Sequence, residues 1–237
     1  MRESNLMHTT RLPVALALAA SLLVPSSQIV ARTDDAANAI TGIARVIDGD
    51  TLSVGEVRVR LEGIDAPEAG QSCQRQWAVT WACGSAATTA LEKLVAGKTV
   101  QCERRGTDKY GRTLGVCFVH GRDVNAQMVR QGHAWAFVKY STSYVAEEAA
   151  ARAERAGIWQ GEAVPAWEHR QRHWTAAEAQ APDGCAIKGN ITKNGRIYHM
   201  PWSPWYGQIR IEPDKGKRWF CSEAEAIAAG WRPVQAN

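Results

Sequence analysis

The chain contains the stretch Ile43-Ala44-Arg45-Val46-Ile47-Asp48-Gly49-Asp50-Thr51-Leu52-Ser53-Val54, in which two largely apolar runs flank a short polar segment. Asp-Gly favours backbone conformations with positive φ, so Asp48-Gly49-Asp50-Thr51 predicts a tight turn between two antiparallel strands. Taken alone, this segment needs no role beyond joining the two strands.

Two further polar segments follow. The first is Arg60-Leu61-Glu62-Gly63-Ile64-Asp65-Ala66-Pro67-Glu68, in which Arg60 and Glu62 alternate with apolar residues, as on the solvent face of a strand. Its last four residues fit a turn that leaves the strand. The second is Thr107-Asp108-Lys109-Tyr110-Gly111-Arg112, which by itself could be another hairpin tip.

Together, the three segments hold the residue types that hydrolysis of a phosphodiester needs. They supply several carboxylates that could bind a hard divalent cation, a further glutamate and two arginines. The reaction requires that a water molecule be made nucleophilic, a task that suits a carboxylate base. It also requires that the negative charge on the five-coordinate phosphorus be stabilised. A divalent cation and bidentate guanidinium groups suit the second task. The order and completeness of the three segments argue against three unrelated turns.

The three segments closely resemble the staphylococcal nuclease (thermonuclease) family, through Asp-Gly-Asp-Thr, Arg-x4-Asp-x-Pro-Glu and Asp-Lys-Tyr-Gly-Arg. The resemblance continues through Val124-Asn125-Ala126 and Val129-Arg130-Gln131-Gly132 to Gly157-Ile158-Trp159, and covers residues 42–160, about half of the chain. It implies a closed barrel of the oligonucleotide-binding (OB) type. It also implies a calcium-dependent endonuclease that acts on DNA, RNA or both and leaves 3′-phosphorylated ends.

The resemblance implies a calcium site made of two carboxylates and one main-chain oxygen. Asp50 and Asp65 would supply the carboxylates, and Ala66 would supply its carbonyl at a position where the family usually has threonine. Glu68 would be the general base that acts through water.

The resemblance also assigns the groups that contact the nucleic acid. Arg60 and Arg112 would hold the scissile phosphate and stabilise the phosphorane-like transition state. Lys109 and Tyr110 lie where the family contacts a neighbouring phosphate. The family's type member has two tyrosines near a bound base, and the corresponding run here keeps Tyr140 alone, so base stacking should be reduced or differently arranged.

The predicted fold class is α+β: a five-stranded OB-type β-barrel with three helices, plus a small C-terminal β/α module. Strands are predicted at Ile43–Ile47, Leu52–Val54, Val57–Ile64, Thr99–Arg104 and Leu114–Val119. Helices are predicted at Gly84–Val95, Val124–Gln131 and Tyr144–Ala156, each with a glycine close behind its end. Periodicity predicts these elements, whereas the barrel topology is implied by the resemblance.

The composition of the chain changes after the nuclease-like domain, which we place at residues 40–162. Residues 163–184 are rich in Ala, Gln, His and Trp and are interpreted as a linker, with a short helix at Glu168–Gln180. The remainder, residues 185–237, resembles the small "sunset" module at the C-terminal end of some secreted bacterial nucleases. Its predicted elements are strands at Ile187–Ile191, Arg196–His199 and Gln208–Ile211 and a helix at Ser222–Ala229. Its aromatic residues are either a binding surface or its core, and its partner is left open.

Six cysteines permit fifteen pairings. Proximity along the chain and the predicted strand neighbours select Cys73–Cys83, Cys102–Cys117 and Cys185–Cys221. Buried free thiols are the alternative, and zinc at the last pair is disfavoured because a fourth ligand is missing.

The first residues, 1–31, fit a signal peptide: Arg2 and Arg11 precede the apolar run Leu12–Val24, which is too short to span a membrane. Cleavage is predicted after Ala31 or as late as Ala39, and a retained amphipathic anchor is the alternative. We therefore expect an exported, periplasmic or extracellular monomer with no transmembrane segment after signal removal, in agreement with its cysteine content.

The charge balance constrains how the protein could bind nucleic acid. The net charge is +4, yet residues 40–162 hold 15 Lys and Arg against 14 Asp and Glu, so affinity must come from local arrangement of charge. The rival hypothesis is a non-catalytic OB barrel that binds nucleic acid or an envelope polymer. Such modules typically lose the acidic and arginine residues that this chain retains. A third hypothesis makes the aromatic C-terminal unit an anchor to the cell envelope.

Overall fold

The computed structural model describes residues 38–234, so the predicted signal peptide lies outside the described residues. The strands of the described part are β1 (Ala39–Asp48), β2 (Thr51–Val54), β3 (Val57–Leu61), β4 (Ile64–Asp65), β5 (Cys73–Gln74), β6 (Thr80–Trp81), β7 (Thr99–Thr107), β8 (Thr113–Val119), β9 (Arg122–Asp123), β10 (Trp135–Ala136), β11 (Ile187–Thr192), β12 (Gly195–His199), β13 (Arg218–Phe220) and β14 (Arg232–Pro233). The α-helices are α1 (Cys83–Val95), α2 (Val124–Arg130), α3 (Val145–Ala153), α4 (Ala166–Glu178) and α5 (Glu223–Ala228). Between residues 38 and 234, no helix has the length and apolar character needed to cross a membrane.

Five strands close into a barrel. Antiparallel pairs join β1 to β2 and to β7, β2 to β3, and β7 to β8, and a parallel pair between β3 and β8 closes the ring. In the closing pair, Arg60 lies opposite Leu114. With α1, α2 and α3 packed around it, this barrel confirms the predicted five-stranded OB-type fold with three helices.

The interior of the barrel is apolar and is covered by one face of α1. Leu52, Val59 and Leu61 from the strands and Ala87 and Leu91 from the helix expose 1% of their surface or less. Burying a leucine side chain stabilises a fold by about 2–3 kcal/mol, so this core is a main source of the barrel's stability.

One buried polar side chain ties the barrel together and explains part of the Val124-Asn125-Ala126 motif. Asn125 is completely buried and donates from Nδ2 to the carbonyls of Glu62 and Gly115, at 2.9 and 3.1 Å. Its Oδ1 accepts from the amide of Cys117 at 3.2 Å. These bonds connect α2 to β8 and to the chain that leaves β3.

Helix α4 lies in the predicted linker and packs on both of its neighbours. Trp167 joins the cluster of Trp135 and Ile158, beside the barrel, whereas Trp174 packs against the core of the C-terminal unit. That core contains Tyr198 and other residues from a four-stranded sheet ordered β13-β11-β12-β14.

The predicted strand at Gln208–Ile211 is wrong. A 3₁₀ turn at Tyr206–Gln208 stands there instead, and the carbonyls of Tyr206 and Ile209 accept hydrogen bonds from Lys188 Nζ at 3.1 and 2.9 Å. Both carbonyls are thus bonded to a side chain of β11.

All six cysteines form disulfides, with the predicted pairing Cys73–Cys83, Cys102–Cys117 and Cys185–Cys221. The second bridge joins directly opposed residues of β7 and β8. The third excludes the two C-terminal thiols as zinc ligands.

Candidate active site

The turn between β1 and β2 carries Asp48 and Asp50 at one end of the barrel. Asp50 donates its amide to Asp48 Oδ1 at 3.1 Å, which fixes the turn. Gly49 does not adopt the positive φ that the sequence suggested. It is needed for close packing, because a Cβ there would lie 2.8 Å from the Cβ of Ala66 and 2.9 Å from that of Ala87.

Arg60 contacts two buried aspartates, Asp50 and Asp65. It lies on β3 opposite Thr51, so its side chain reaches Asp50, the neighbour of Thr51. Its guanidinium forms an ion pair with Asp50 and a second with Asp65 Oδ1 at 2.7 Å. Burial lowers the pKa of Arg60, with the charge of Asp65 acting in the opposite direction.

Asp65 and Ala66 follow β3 after a turn, and Asp65 pairs with β10. Asp65, which is completely buried, pairs with Trp135 in the short ladder between β4 and β10. The amide of Ala66 donates to Asp50 Oδ2 at 2.8 Å. The backbone of the second segment is thereby fixed to the carboxylate of the first.

Glu68 lies against the first turn of α1. A Cβ at Gly84 would come within 1.7 Å of the Glu68 carbonyl oxygen, so a residue without a side chain is needed there. The amide of Glu68 donates to Gln71 Oε1 at 3.1 Å. Burial raises the pKa of Glu68 to about 7, and the charge of Arg170 opposes that rise.

The third segment forms a second group of predicted residues. Asp108 accepts the amide of Arg112 at 3.0 Å and its Nε–H at 2.6 Å, so the guanidinium is held on its Nε side. Burial lowers the pKa of Arg112, but the carboxylate of Asp108 raises it overall. Lys109 Nζ lies 4.8 Å from the ring centroid of Tyr110, and the hydrogen bond with Tyr110 is the main cause that raises its pKa. Tyr140 is 68% exposed and acts electrostatically on the same lysine.

Asp48 interacts electrostatically with both groups of site residues, the one around Arg60 and the one around Arg112. Burial raises its pKa, and the positive charges of Arg60 and Arg112 both oppose that rise. The structure thus brings Asp50, Asp65 and Arg60 into direct contact, with the Arg112 group beside them.

Sequence reasoning missed one residue of this site, Arg170. Its guanidinium binds Asp65 through two bonds, Nη1–Oδ1 at 3.0 Å and Nη2–Oδ2 at 2.9 Å, and Glu68 Oε1 through Nη1 at 2.8 Å. Arg170 lies on α4, in the segment interpreted as a linker. No local motif marked it, because the contact spans 105 positions of the sequence.

The donor set can be tested against the calcium ion that the family resemblance implies. Within residues 38–234, no three His, Cys, Asp or Glu side chains are grouped as a metal site. The carboxylates of Asp50 and Asp65 nevertheless converge, since both bind the guanidinium of Arg60. Two buried carboxylates that already hold a cationic group, one of them bonded to the backbone of Ala66, fit a hard cation that prefers oxygen ligands.

Comparison with known proteins identifies the family of the chain. The model of the family described as staphylococcal nuclease homologue matches residues 58–161, and that of the family described as ArfC matches residues 169–233. The chain is 38% identical over 133 residues to the succinoglycan biosynthesis protein ExoI of Rhizobium meliloti, covering 54% of this chain and 68% of that protein. It is 39% identical over 138 residues to an uncharacterized endonuclease of Escherichia coli O157:H7, covering 55% and 84%. For the micrococcal nuclease of Shigella flexneri the identity is 37% over 134 residues, covering 49% and 71%. The chain therefore belongs to the staphylococcal nuclease family.

Proposed function

We propose that the protein is an exported, calcium-dependent endonuclease that hydrolyses phosphodiester bonds in DNA or RNA and leaves 3′-phosphorylated ends. The observation that carries the proposal is the convergence of Asp50, Asp65 and Arg60 at one end of the barrel, with Glu68 beside them. Relatives named as nucleases support the reaction class.

The proposed cation ligands are the carboxylates of Asp50 and Asp65 and the carbonyl of Ala66. When bound, calcium would supply positive charge that offsets the charge developing on the phosphate. Arg60 contacts both carboxylates, which puts a guanidinium beside the proposed cation site.

Glu68 is the proposed general base. Its raised pKa, about 7, suits this role, because a base whose pKa lies near the working pH is both ionised and able to accept a proton. The burial that raises the pKa also limits access of bulk water to the carboxylate. In this proposal Glu68 takes a proton from water as the water oxygen bonds to phosphorus, the P–O5′ bond breaks, and the 5′-oxygen takes up a proton from solvent.

Arg60 and Arg112 are the proposed phosphate ligands. Asp108 accepts from Nε–H of Arg112, so the Nη–H groups are the donors that we propose bind the phosphate. A planar fork can bind two phosphate oxygens at once, which fits the charge that spreads over them in the transition state. Lys109 and Tyr110 would contact a neighbouring phosphate, and Tyr140, which is largely exposed, would contact a base.

Export is proposed from the three disulfides together with the signal-like first residues. We also propose that the barrel with its three helices acts as a monomer. Purification from periplasm and medium, followed by size-exclusion chromatography, tests both statements.

The decisive experiment is cleavage of labelled single-stranded DNA and RNA by the purified protein, in calcium, magnesium or chelator. We expect calcium-dependent internal cleavage, with products whose 3′ ends carry phosphate. Tight binding without cleavage in any of these buffers would instead establish the non-catalytic binding module. Glu68→Gln in a folded protein should abolish most turnover, since an amide cannot accept the proton.

A further inference from the structure

Arg170 reaches the candidate site from outside the barrel. It lies beyond residues 58–161, which match the nuclease family, and within residues 169–233, which match the ArfC family. The family resemblance assigns no residue at this position. Its side chain is nevertheless in direct contact with two of the proposed functional carboxylates.

These contacts use the oxygens that a cation would need. Asp65 is completely buried; its Oδ1 accepts from Arg60 at 2.7 Å and from Arg170 at 3.0 Å, and its Oδ2 accepts from Arg170 at 2.9 Å. Both oxygens of Asp65 are therefore bonded to guanidinium groups. A divalent cation at Asp65 would have to replace such a contact or lie beside like charge with little solvent to screen it.

Helix α4 is firmly held where it delivers Arg170. One turn before Arg170, the ring of Trp167 stacks on Phe137, with centroids 5.4 Å apart and planes 10° apart. Just before the helix, the carbonyl of Val164 accepts from Gln71 Nε2 at 2.6 Å. Gln71 also accepts the amide of Glu68, so one side chain links the start of α4 to the proposed base.

The C-terminal unit also places a negative charge toward the basic part of the site. Glu223, at the start of α5, accepts the hydroxyl of Tyr198. The largest causes that raise the pKa of Lys109 and Arg112 are Tyr110 and Asp108 respectively, and Glu223 adds to both. Residues beyond position 162 therefore add a positive charge, that of Arg170, beside the carboxylates and a negative charge, that of Glu223, that acts on Lys109 and Arg112.

We propose that Arg170 is a further residue of this site and that it competes with the cation for Asp65. Helix α4 then sets the cation concentration at which the nuclease becomes active, because Arg170 must give up its contacts with Asp65 before the cation binds. Arg170 is in this sense a positioning residue that acts through the carboxylates. This inference rests on the proposed function, in which Asp65 is a cation ligand.

The test is calorimetric titration of the metal-free, full-length secreted protein with calcium chloride. We expect Arg170→Gln to bind calcium at least about fivefold more tightly than wild type, the lower end of typical coupling between sites. Arg170→Lys keeps the charge without the fork and should fall between the two. Arg172→Gln is the matched control, because Arg172 lies on the exposed side of the same helix and pairs with Glu168 at 3.3 Å. It should bind calcium like wild type.

The calcium dependence of cleavage gives a second readout. Arg170→Gln should reach half-maximal cleavage at a lower calcium concentration than wild type, each curve being scaled to its own maximum. Unchanged or weaker calcium binding in both Arg170 variants would overturn the inference and leave the proposed nuclease intact. An unchanged or higher calcium concentration for half-maximal cleavage by Arg170→Gln would also overturn it. Wild-type protein that neither binds calcium nor cleaves nucleic acid would reject the proposed function itself.

Discussion

Replacing Glu68 by glutamine should stabilise the metal-free protein at alkaline pH while removing its activity. Burial raises the pKa of Glu68 from 4.5 to about 7, so the fold disfavours the ionised carboxylate. One pKa unit corresponds to about 1.4 kcal/mol, so the full shift corresponds to about 3 kcal/mol of lost stability. The side chain is 21% exposed and paired with Arg170, so we discount this to about 2 kcal/mol.

The direction of this pH dependence of stability follows from which state, folded or unfolded, loses its proton first. Below pH 4.5 the carboxyl is protonated in both the folded and the unfolded state, so the wild type loses nothing there. As pH rises from 4.5 to about 7, the unfolded state ionises first, and the free energy of unfolding falls. Glutamine resembles the protonated form, so Glu68→Gln should be close to wild type at about pH 5 and more stable by about 2 kcal/mol at about pH 8.

Urea unfolding in chelator, followed by circular dichroism at both pH values, measures this difference. Glu56→Gln, on the exposed turn between β2 and β3, is the control because it removes a carboxylate that the fold does not bury. An equal effect of Glu68→Gln at the two pH values, or destabilisation at about pH 8, would refute the argument that burying this charge costs stability. Loss of cleavage in the more stable variant would show that the activity was not lost through unfolding.

Three further changes test the site and the fold. Arg112→Lys should lower turnover on single-stranded DNA about 10²-fold at saturating calcium with a smaller effect on KM, because lysine lacks the fork; turnover within threefold of wild type would contradict this. Asp50→Asn should weaken calcium binding about tenfold or more by calorimetry, whereas unchanged affinity would remove Asp50 from the ligand set. Asn125→Ala should lower the free energy of unfolding in urea by about 3 kcal/mol, since it removes the side-chain donor to the carbonyl of Glu62 and the acceptor of the Cys117 amide; a loss below about 1 kcal/mol would contradict the hydrogen-bond assignment.

Local sequence patterns predicted most of the secondary-structure elements and much of the site. The three polar segments gave Asp50, Arg60 and Asp65, which the structure brings into contact. The strands of the barrel were predicted to within a few residues because alternation and turn residues report local conformation directly. The disulfides were also predictable, because two pairs are close in sequence and the third joins the cysteines that remain.

Those local patterns did not predict how the barrel closes. The parallel pair of β3 and β8 joins strands whose connection contains α1 and β7, and hydrophobic alternation gives the faces of a strand without naming its partner. The family resemblance supplied that topology. A similar limit explains Gln208–Ile211, where an alternating pattern resembled a strand but Lys188, distant in sequence, bonds two of the carbonyls of this region.

Tertiary structure alone decided the role of the segment after residue 162. Arg170 lies in a polar, alanine-rich helix without a motif, and it becomes a site residue because Trp167 and Val164 fix that helix beside Glu68. Glycine is likewise needed at position 49 because Ala66 and Ala87, from other parts of the chain, leave no room for a Cβ there. Sequence patterns predict local conformation, because it depends on residues that are neighbours along the chain. Contacts between distant segments depend on how the elements pack, and here packing decides which charges meet Asp65.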